Sequence, residues 1–142
     1  MTRKALSLSG EWTGVFDYAN TPDEAVTFTA SLTDVAGVIW GTTCERNSFS
    51  PIAARDLSAS LSGMRSGYEV RFRKEYMGDV PGGEDIISYV GHVSEDGNRI
   101  SGDWRIAIPG VNVSGPFVMN RVRGTRAQIR VTTSVSALIE RG

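Results

Sequence analysis

The sequence predicts an all-β fold, an eight-stranded antiparallel up-and-down β-barrel with a short C-terminal extension. Short runs in which apolar and polar residues alternate recur along the chain, and Gly, Asn, Asp and Pro separate them. No apolar stripe at helical spacing competes with them before the C-terminal tail. Short connections join neighbouring strands antiparallel, because parallel pairing needs a crossover of about a dozen residues or more. Closing the sheet removes its exposed edges.

Four of these runs fill the first half of the chain, over residues 12–18, 26–33, 38–46 and 56–62. In the second run, Phe28, Ala30 and Leu32 alternate with hydroxyl side chains, which is the pattern of a half-buried strand. The segment 34–37 turns the chain between the second and third runs, and 62–67 is predicted to form the next hairpin.

The second half contains four further runs, over residues 68–76, 85–94, 99–108 and 111–122. The Asp96-Gly97 pair predicts a tight hairpin between the sixth and seventh runs, because it accepts the positive φ angles that such turns require. Pro109-Gly110 separates the last two runs.

Charge divides the chain into residues 1–122, the barrel, and residues 123–142, a basic extension predicted as a strand or short helix. From Arg121 onward the chain carries five Arg against one Glu, a formal charge of +4, whereas the residues before it carry −5. The basic residues are not contiguous and no aromatic residue follows Phe117, so we expect assembly with a second copy rather than nucleic-acid binding.

Composition excludes several kinds of chemistry. One Cys and one His cannot form an internal disulfide or a Cys/His zinc site, and we expect no metal and no cofactor. The single imidazole, His92, is predicted on the outer face. Cys44 lies beside Glu45, and a neighbouring negative charge disfavours the nucleophilic thiolate, so no catalytic residue is assigned. No apolar run approaches the length of about 20 residues that spans a membrane, and no secretory signal is evident, so we expect a cytoplasmic protein without membrane contact.

Several short motifs resemble those of a known barrel family. The segment Leu8-Ser9-Gly10-Glu11-Trp12 is similar to the Gly-x-Trp start of lipocalin-like and avidin-like (streptavidin-like) barrels, both of the calycin group. Three further motifs resemble the avidin-like pattern alone: Gly41-Thr42, Tyr89-Val90-Gly91 and Ile100-Ser101-Gly102-Asp103-Trp104. The resemblance covers about residues 8–122 and implies an oligomeric barrel that binds one small molecule, biotin, in its mouth.

The polar residues with which that family contacts biotin are not matched. The corresponding positions are Gly14 and Tyr18 on the first strand, Thr43 and Glu45 on the third, and Met119 or Asn120 on the eighth. A buried polar group without a partner costs about 1–3 kcal/mol, so we do not expect biotin as the ligand.

Alternation nevertheless predicts a ligand-binding lining with an aromatic wall and a few polar groups. Alternation from Trp12, Phe72 and Trp104 places Phe16, Tyr18, Lys74 and Tyr76 in this lining, together with Tyr68 and Val70. Alternation leaves open which faces of the third and sixth strands look inward; the resemblance to the avidin-like pattern implies that Glu45, Tyr89, Thr43, Asp85 and Ile87 join the lining. Lys74 is the least expected member, because a lysine facing inward needs a partner or a place near solvent. We expect Lys74 to hold the anionic group of a ligand, with Glu45 and Asp85 as counter-ions. The alternative is that Lys74 lies at the solvent-exposed end of its strand.

The predicted function is therefore a small-molecule-binding barrel for an apolar or aromatic ligand with an anionic group. One alternative is a barrel enzyme such as a cyclase or isomerase, with Tyr76, Glu45 or Lys74 as its acid or base. Another is a filled barrel that acts as a protein-interaction module. Trp40 lies out of phase with the inward residues, and with the basic extension it predicts a homo-oligomer.

Overall fold

The computed structural model describes residues 6–18, 21–46, 56–78, 86–108 and 110–122. Within these ranges eight strands form one closed barrel. They are β1 (Gly10–Tyr18), β2 (Thr21–Val35), β3 (Val38–Arg46), β4 (Asp56–Ser66), β5 (Glu69–Tyr76), β6 (Ile87–Val93), β7 (Arg99–Ile108) and β8 (Val111–Arg121).

Every strand pairs antiparallel with the next one along the chain, and β8 returns to pair with β1. Gly14 faces Met119 at that closure, so the described sheet has no free edge. Buried and exposed residues alternate along the strands, as in β6, where every second residue from Ile87 is buried. The predicted all-β, eight-stranded antiparallel barrel is thus confirmed.

Several strand boundaries differ from the prediction. β2 begins earlier, at Thr21, and β6 begins later, at Ile87. β4 continues to Ser66, because Met64 pairs with Arg71 and Ser66 with Glu69 across the hairpin. The turn therefore shrinks to two residues, the first of which is Gly67 with a φ of 62°.

The shorter turn corrects one predicted lining residue. Tyr68 is the second residue of that turn, and its side chain is 44% exposed instead of facing into the barrel. Alternation counted from Val70 points Tyr68 inward, but the strand has already ended there, so the alternation no longer applies.

One end of the barrel is sealed by residues 6–9. Leu8 is fully buried, and its carbonyl oxygen accepts a hydrogen bond from the indole Nε1 of Trp12 at 2.9 Å. Arg121, at the end of β8, donates to the carbonyl oxygens of Ser9 and Ser7, both at 2.7 Å.

Asp34 holds the same segment from the β2–β3 side. Its Oδ2 accepts from the backbone N–H of Leu8 and from Nε of Arg65, both at 2.9 Å, and its Oδ1 accepts from the backbone N–H of Gly37. Arg65 also donates to the carbonyl oxygen of Leu6 at 2.9 Å. Side chains from β2, β4 and β8 therefore fix the N-terminal segment across this end.

The opposite end carries the connections between β1 and β2, β3 and β4, β5 and β6, and β7 and β8, of which the second and third are the longest of the barrel. We call it the loop end. Residues 19–20, 47–55, 79–85 and 109 of these connections lie outside the described residues, and so does the basic extension 123–142. Among the residues that are described, no helix is long and apolar enough to cross a membrane.

Candidate functional site

A buried ion pair joins β3 to β5 inside the barrel. Nζ of Lys74 lies 2.6 Å from Oε1 of Glu45, and each side chain is only 1% exposed. Charged groups are rarely buried this completely without a partner. The predicted inward position of Lys74 and its pairing with Glu45 are both observed, so Lys74 does not lie at a wet strand end.

Tyr76 extends the pair towards the loop end. Its hydroxyl donates to Oε2 of Glu45 at 2.9 Å, and its side chain is half-buried. Both oxygens of the Glu45 carboxylate thus accept a hydrogen bond, one from an ammonium and one from a phenol. We call these three residues the Lys74–Glu45–Tyr76 cluster.

Aromatic rings surround the ammonium group of Lys74. The centroids of the Tyr76 and Phe16 rings lie 4.8 Å and 4.9 Å from Nζ. Those of Phe28 and Tyr89 lie 5.7 Å and 5.9 Å away. Ring faces stabilise a cation at these distances. Burial nevertheless lowers the pKa of Lys74, although the charge and hydrogen bond of the Glu45 carboxylate oppose that shift.

Strand alternation explains why these side chains meet. Val70, Phe72 and Lys74 are the buried residues of β5, and Thr43 and Glu45 occupy the equivalent positions of β3. β4 separates the two strands, so only long side chains can join across it. Glu45 lies next to the last residue of β3, and Tyr76 is the last residue of β5, which places the cluster towards the loop end.

The other predicted site residues lie at the sealed end, in the core and towards the loop end. Trp12 belongs to the sealed end, where Leu8 covers it. Trp104 donates through Nε1 to the carbonyl oxygen of Asp17 at 2.8 Å, and its ring packs edge-on against Phe16. Phe72 and Tyr89 are buried in the core between the ends. Tyr18 ends β1, but its side chain lies outside the described residues, as does Asp85.

The interior around the cluster is filled. A cavity of about 10 Å³ lies beside Lys74, Thr43, Phe72 and Met119, which is room for one water molecule at most. The Thr43 hydroxyl is buried without a hydrogen-bond partner. The Lys74 side chain and the surrounding rings therefore occupy the interior of the described barrel next to this cavity.

Sequence reasoning missed the role of Phe28, which alternation placed inward but which was not assigned to the site. Its ring occupies the inner-face space where a side chain at Gly14 would lie, since a Cβ built at Gly14 would collide with the ring. The signal that could have shown this is Gly14, a glycine at an inward position of β1 that pairs with Phe28 of the neighbouring strand β2.

A groove of about 530 Å³ lies along the wall of the barrel. Its lining includes the exposed Thr13, Thr29, Cys44, Asp56 and Asn120. Glu45 and Phe28 also line it, whereas Lys74 and Tyr76 do not, so the groove borders the Lys74–Glu45–Tyr76 cluster at Glu45.

The remaining candidates for chemistry lie on the outside. His92 is exposed, as predicted, and its Nδ1 lies 2.8 Å from Oε2 of Glu69. Cys44 is exposed and has no disulfide partner. Across the described ranges, no three His, Cys, Asp or Glu side chains cluster closely enough to hold a metal ion.

Comparison with known proteins supports the fold alone. No protein-family model and no curated protein sequence matches the chain. Among solved structures, the chain is similar to apo shwanavidin in its P1 form, with a TM-score of 0.54 and 17% sequence identity over 86% of this chain and 100% of that one. It is also similar to the P21 form, with a TM-score of 0.51 and 15% identity over 86% of this chain and 99% of the other. The avidin-like barrel that the short motifs predicted is thereby confirmed.

Proposed function

We propose that this avidin-like barrel binds a small molecule at its loop end, and that the Lys74–Glu45–Tyr76 cluster recognises it. The observation that carries the proposal is the pair of contacts on Glu45, from Lys74 at 2.6 Å and from Tyr76 at 2.9 Å. The ligand class is an apolar or aromatic body with one anionic group.

Energetics support a functional role for this cluster. Replacing a buried ion pair with apolar residues of similar volume is often neutral or stabilising by about 1–4 kcal/mol, so stability alone does not account for Lys74 and Glu45. An ammonium and a phenol that donate side by side are the groups that a carboxylate or sulfonate would use.

The geometry of the two ends supports the loop end as the entrance. At the other end, the side chains of Trp12 and Arg121 donate hydrogen bonds to the backbone carbonyl oxygens of Leu8 and Ser9. Tyr76 is the half-buried member of the cluster, whereas Lys74 and Glu45 are buried beneath it. Because the interior is filled, the apolar body of the ligand rests at the loop end and its anionic group reaches inward past Tyr76.

The test is titration of the protein with 8-anilinonaphthalene-1-sulfonate, an aromatic sulfonate whose fluorescence rises on binding. We expect saturable binding with one probe per barrel. Losing a hydrogen bond to a charged group costs about 1.5–3 kcal/mol, so Lys74→Met should weaken binding about tenfold to a hundredfold. Tyr76→Phe keeps the ring and should weaken binding less.

Arg73→Met is the matched control, because Arg73 precedes Lys74 but is exposed on the outer face. It removes the same charge and should leave the affinity unchanged. Circular dichroism establishes that each variant is folded. Equal binding to the Lys74→Met and Arg73→Met variants would contradict the proposal.

The filled interior supports a second candidate, a protein-interaction role in which the partner is a second copy of this chain. Val35, Val38, Trp40 and Met64 are each at least 47% exposed. Register places them side by side, since Val38 pairs with both Val35 and Met64 and Trp40 is two residues further along β3. Apolar residues grouped in this way are typical of contact surfaces. The charges of −5 and +4 on the barrel and the segment from Arg121 onward are complementary between copies.

Light scattering coupled to gel filtration tests this second candidate. We expect a mass above that of the 15.4 kDa chain at micromolar concentration. The double variant Trp40→Ser/Met64→Ser should shift the mass towards the monomer, whereas Val90→Ser, which removes an exposed apolar residue elsewhere, should not. A wild-type protein that is monomeric at these concentrations would exclude this role.

A further inference from the structure

The Lys74–Glu45–Tyr76 cluster is electrically neutral as it stands. Its ammonium and carboxylate oppose each other at 2.6 Å in a site that excludes solvent, and the phenol of Tyr76 adds no charge. The strands on either side of β3 present Phe28 and Leu57 opposite Glu45, neither of which titrates. β1 and β6 contribute Phe16 and Tyr89 to the rings around Lys74, and the nearby Asp56 is exposed on the outer face.

An anionic ligand changes this balance. If its anionic group accepts hydrogen bonds from Lys74 and Tyr76, it takes both of the donors that Glu45 now uses. The displaced carboxylate would then be a second negative charge beside a single ammonium, in surroundings of low polarity. A buried charge without a partner is strongly unfavourable, and such a group takes up a proton instead.

We propose that this site binds its anionic ligand together with one proton. The anionic group replaces the Glu45 carboxylate on Lys74 and Tyr76, and Glu45 becomes a neutral carboxylic acid by accepting a proton from solvent. No covalent bond of the ligand changes, and the charge of the buried cluster with its ligand stays at zero. This inference rests on the proposed function and adds the means by which pH regulates it.

Proton coupling has a quantitative consequence. When binding takes up one proton, the affinity falls about tenfold for each unit by which the pH rises, for as long as Glu45 is ionised in the free protein. A sulfonate probe keeps its own charge throughout this range, so any pH dependence belongs to the protein.

The experiment measures the affinity for 8-anilinonaphthalene-1-sulfonate between pH 6 and 8 and counts protons by calorimetry in buffers of different ionisation enthalpy. For the wild type we expect uptake of close to one proton and a dissociation constant that rises about tenfold per pH unit. Glu45→Gln removes the titrating group but keeps an oxygen to accept from Lys74. At pH 6 it should take up fewer protons on binding than the wild type, because the carboxylate that accepts the proton is gone.

A control is available on the outer face. Glu75→Gln removes an exposed carboxylate next to Lys74 in sequence and should retain the wild-type pH dependence. All proteins compared carry His92→Gln as a common background, so that the chain contains no imidazole.

A wild type that binds the probe with no proton uptake would overturn the inference and leave the proposed function standing. A proton uptake at pH 6 that is unchanged in Glu45→Gln would overturn it as well. Failure of the wild type to bind the probe at any pH would instead contradict the proposed function itself. If Glu45→Gln does not fold, the calorimetric proton count on the wild type decides the matter alone.

Discussion

The guanidinium carbon of Arg121 lies 4.6 Å from the centre of the Trp12 ring. The same guanidinium donates to the carbonyl oxygens of Ser7, Ser9 and Gly97, so it joins the N-terminal segment to the β6–β7 turn. The last residue of the barrel thus holds the first strand and the segment that precedes it.

We call the Arg121 guanidinium with its hydrogen bonds the Arg121 clamp. Replacing Arg121 should destabilise the sealed end. Arg121→Lys keeps the positive charge but cannot reach several carbonyl oxygens at once, and each lost hydrogen bond to a charged group is worth about 1.5–3 kcal/mol. We expect the free energy of urea-induced unfolding to fall by at least about 1.5–3 kcal/mol, the contribution of one such hydrogen bond. The Trp12 indole N–H should exchange with solvent faster. Arg105→Lys, at an exposed site on β7, is the control, and equal losses from both variants would contradict the clamp.

Asp34 should make this end sensitive to acid. Burial alone would raise the pKa of Asp34, but hydrogen bonds from Arg65 and from the backbone N–H groups of Leu8 and Gly37 lower it below its ordinary value of 3.8. The stabilisation is therefore present above the unfolded-state pKa and lost as the pH falls through the lower, folded-state pKa.

Asp34→Asn should accordingly destabilise the protein at pH 7, by about 1.5–3 kcal/mol for a charged hydrogen bond. The difference from the wild type should shrink below about pH 4, where the carboxyl group of the unfolded chain becomes protonated. Urea unfolding at a series of pH values measures both effects. A difference that stays constant under strongly acidic conditions would show that the carboxylate charge has no part in closing this end.

The buried ion pair should contribute less to the free energy of unfolding than to ligand binding. Lys74→Met alone leaves Glu45 without its ammonium, and breaking a buried pair in this way costs about 3–5 kcal/mol. The double variant Glu45→Leu/Lys74→Met should recover most of that loss while failing to bind the aromatic sulfonate. Double-mutant analysis of unfolding free energies measures the coupling, and a double variant no more stable than Lys74→Met would show that the pair is needed for folding.

The rings around Lys74 should accept a free alkylammonium ion when the lysine is shortened. Lys74→Ala removes three carbons and the amine, which n-propylammonium matches atom for atom. At a concentration about 100 times its dissociation constant, the ion should stabilise the variant by about 2.7 kcal/mol. Thermal unfolding with n-propylammonium and with uncharged 1-propanol checks this, and equal effects of both compounds would show that Glu45 and the rings do not recognise the charge.

The Thr43 hydroxyl provides a test of the small cavity. It is buried without a partner, and an unsatisfied buried polar group costs about 1–3 kcal/mol. Thr43→Val keeps the shape of the side chain and should raise the free energy of unfolding by about that amount. Thr42→Val, on the exposed face of β3, is a matched control and should have little effect. A destabilised Thr43→Val variant would indicate that a water molecule in the cavity satisfies the hydroxyl.

Much of the barrel could be predicted from the sequence because its signals are local. Alternation along β5 places Phe72 and Lys74 inward whatever the rest of the chain does, since the side-chain period of a strand is two. On β3 and β6 the resemblance to the avidin-like pattern set the inward face, and alternation then placed Trp40 and His92 on the outside, where the structure has them. Local pattern could not locate the end of β4, because its last residues have no apolar alternation and are held in the sheet by pairing with β5.

The sequence by itself determined which residues of β5 face the interior, and therefore that a lysine lies among aromatic residues; the resemblance to the avidin-like pattern added Glu45 of β3. Only the tertiary structure decided that they meet across β4 at 2.6 Å and that the Phe28 ring fills the space above Gly14. Register and barrel closure set distances between strands that are remote in sequence, and side-chain volumes summed around the barrel set how much space is left. The distances between strands and the space left inside are properties of the whole sheet, so they cannot be predicted from any single run of residues.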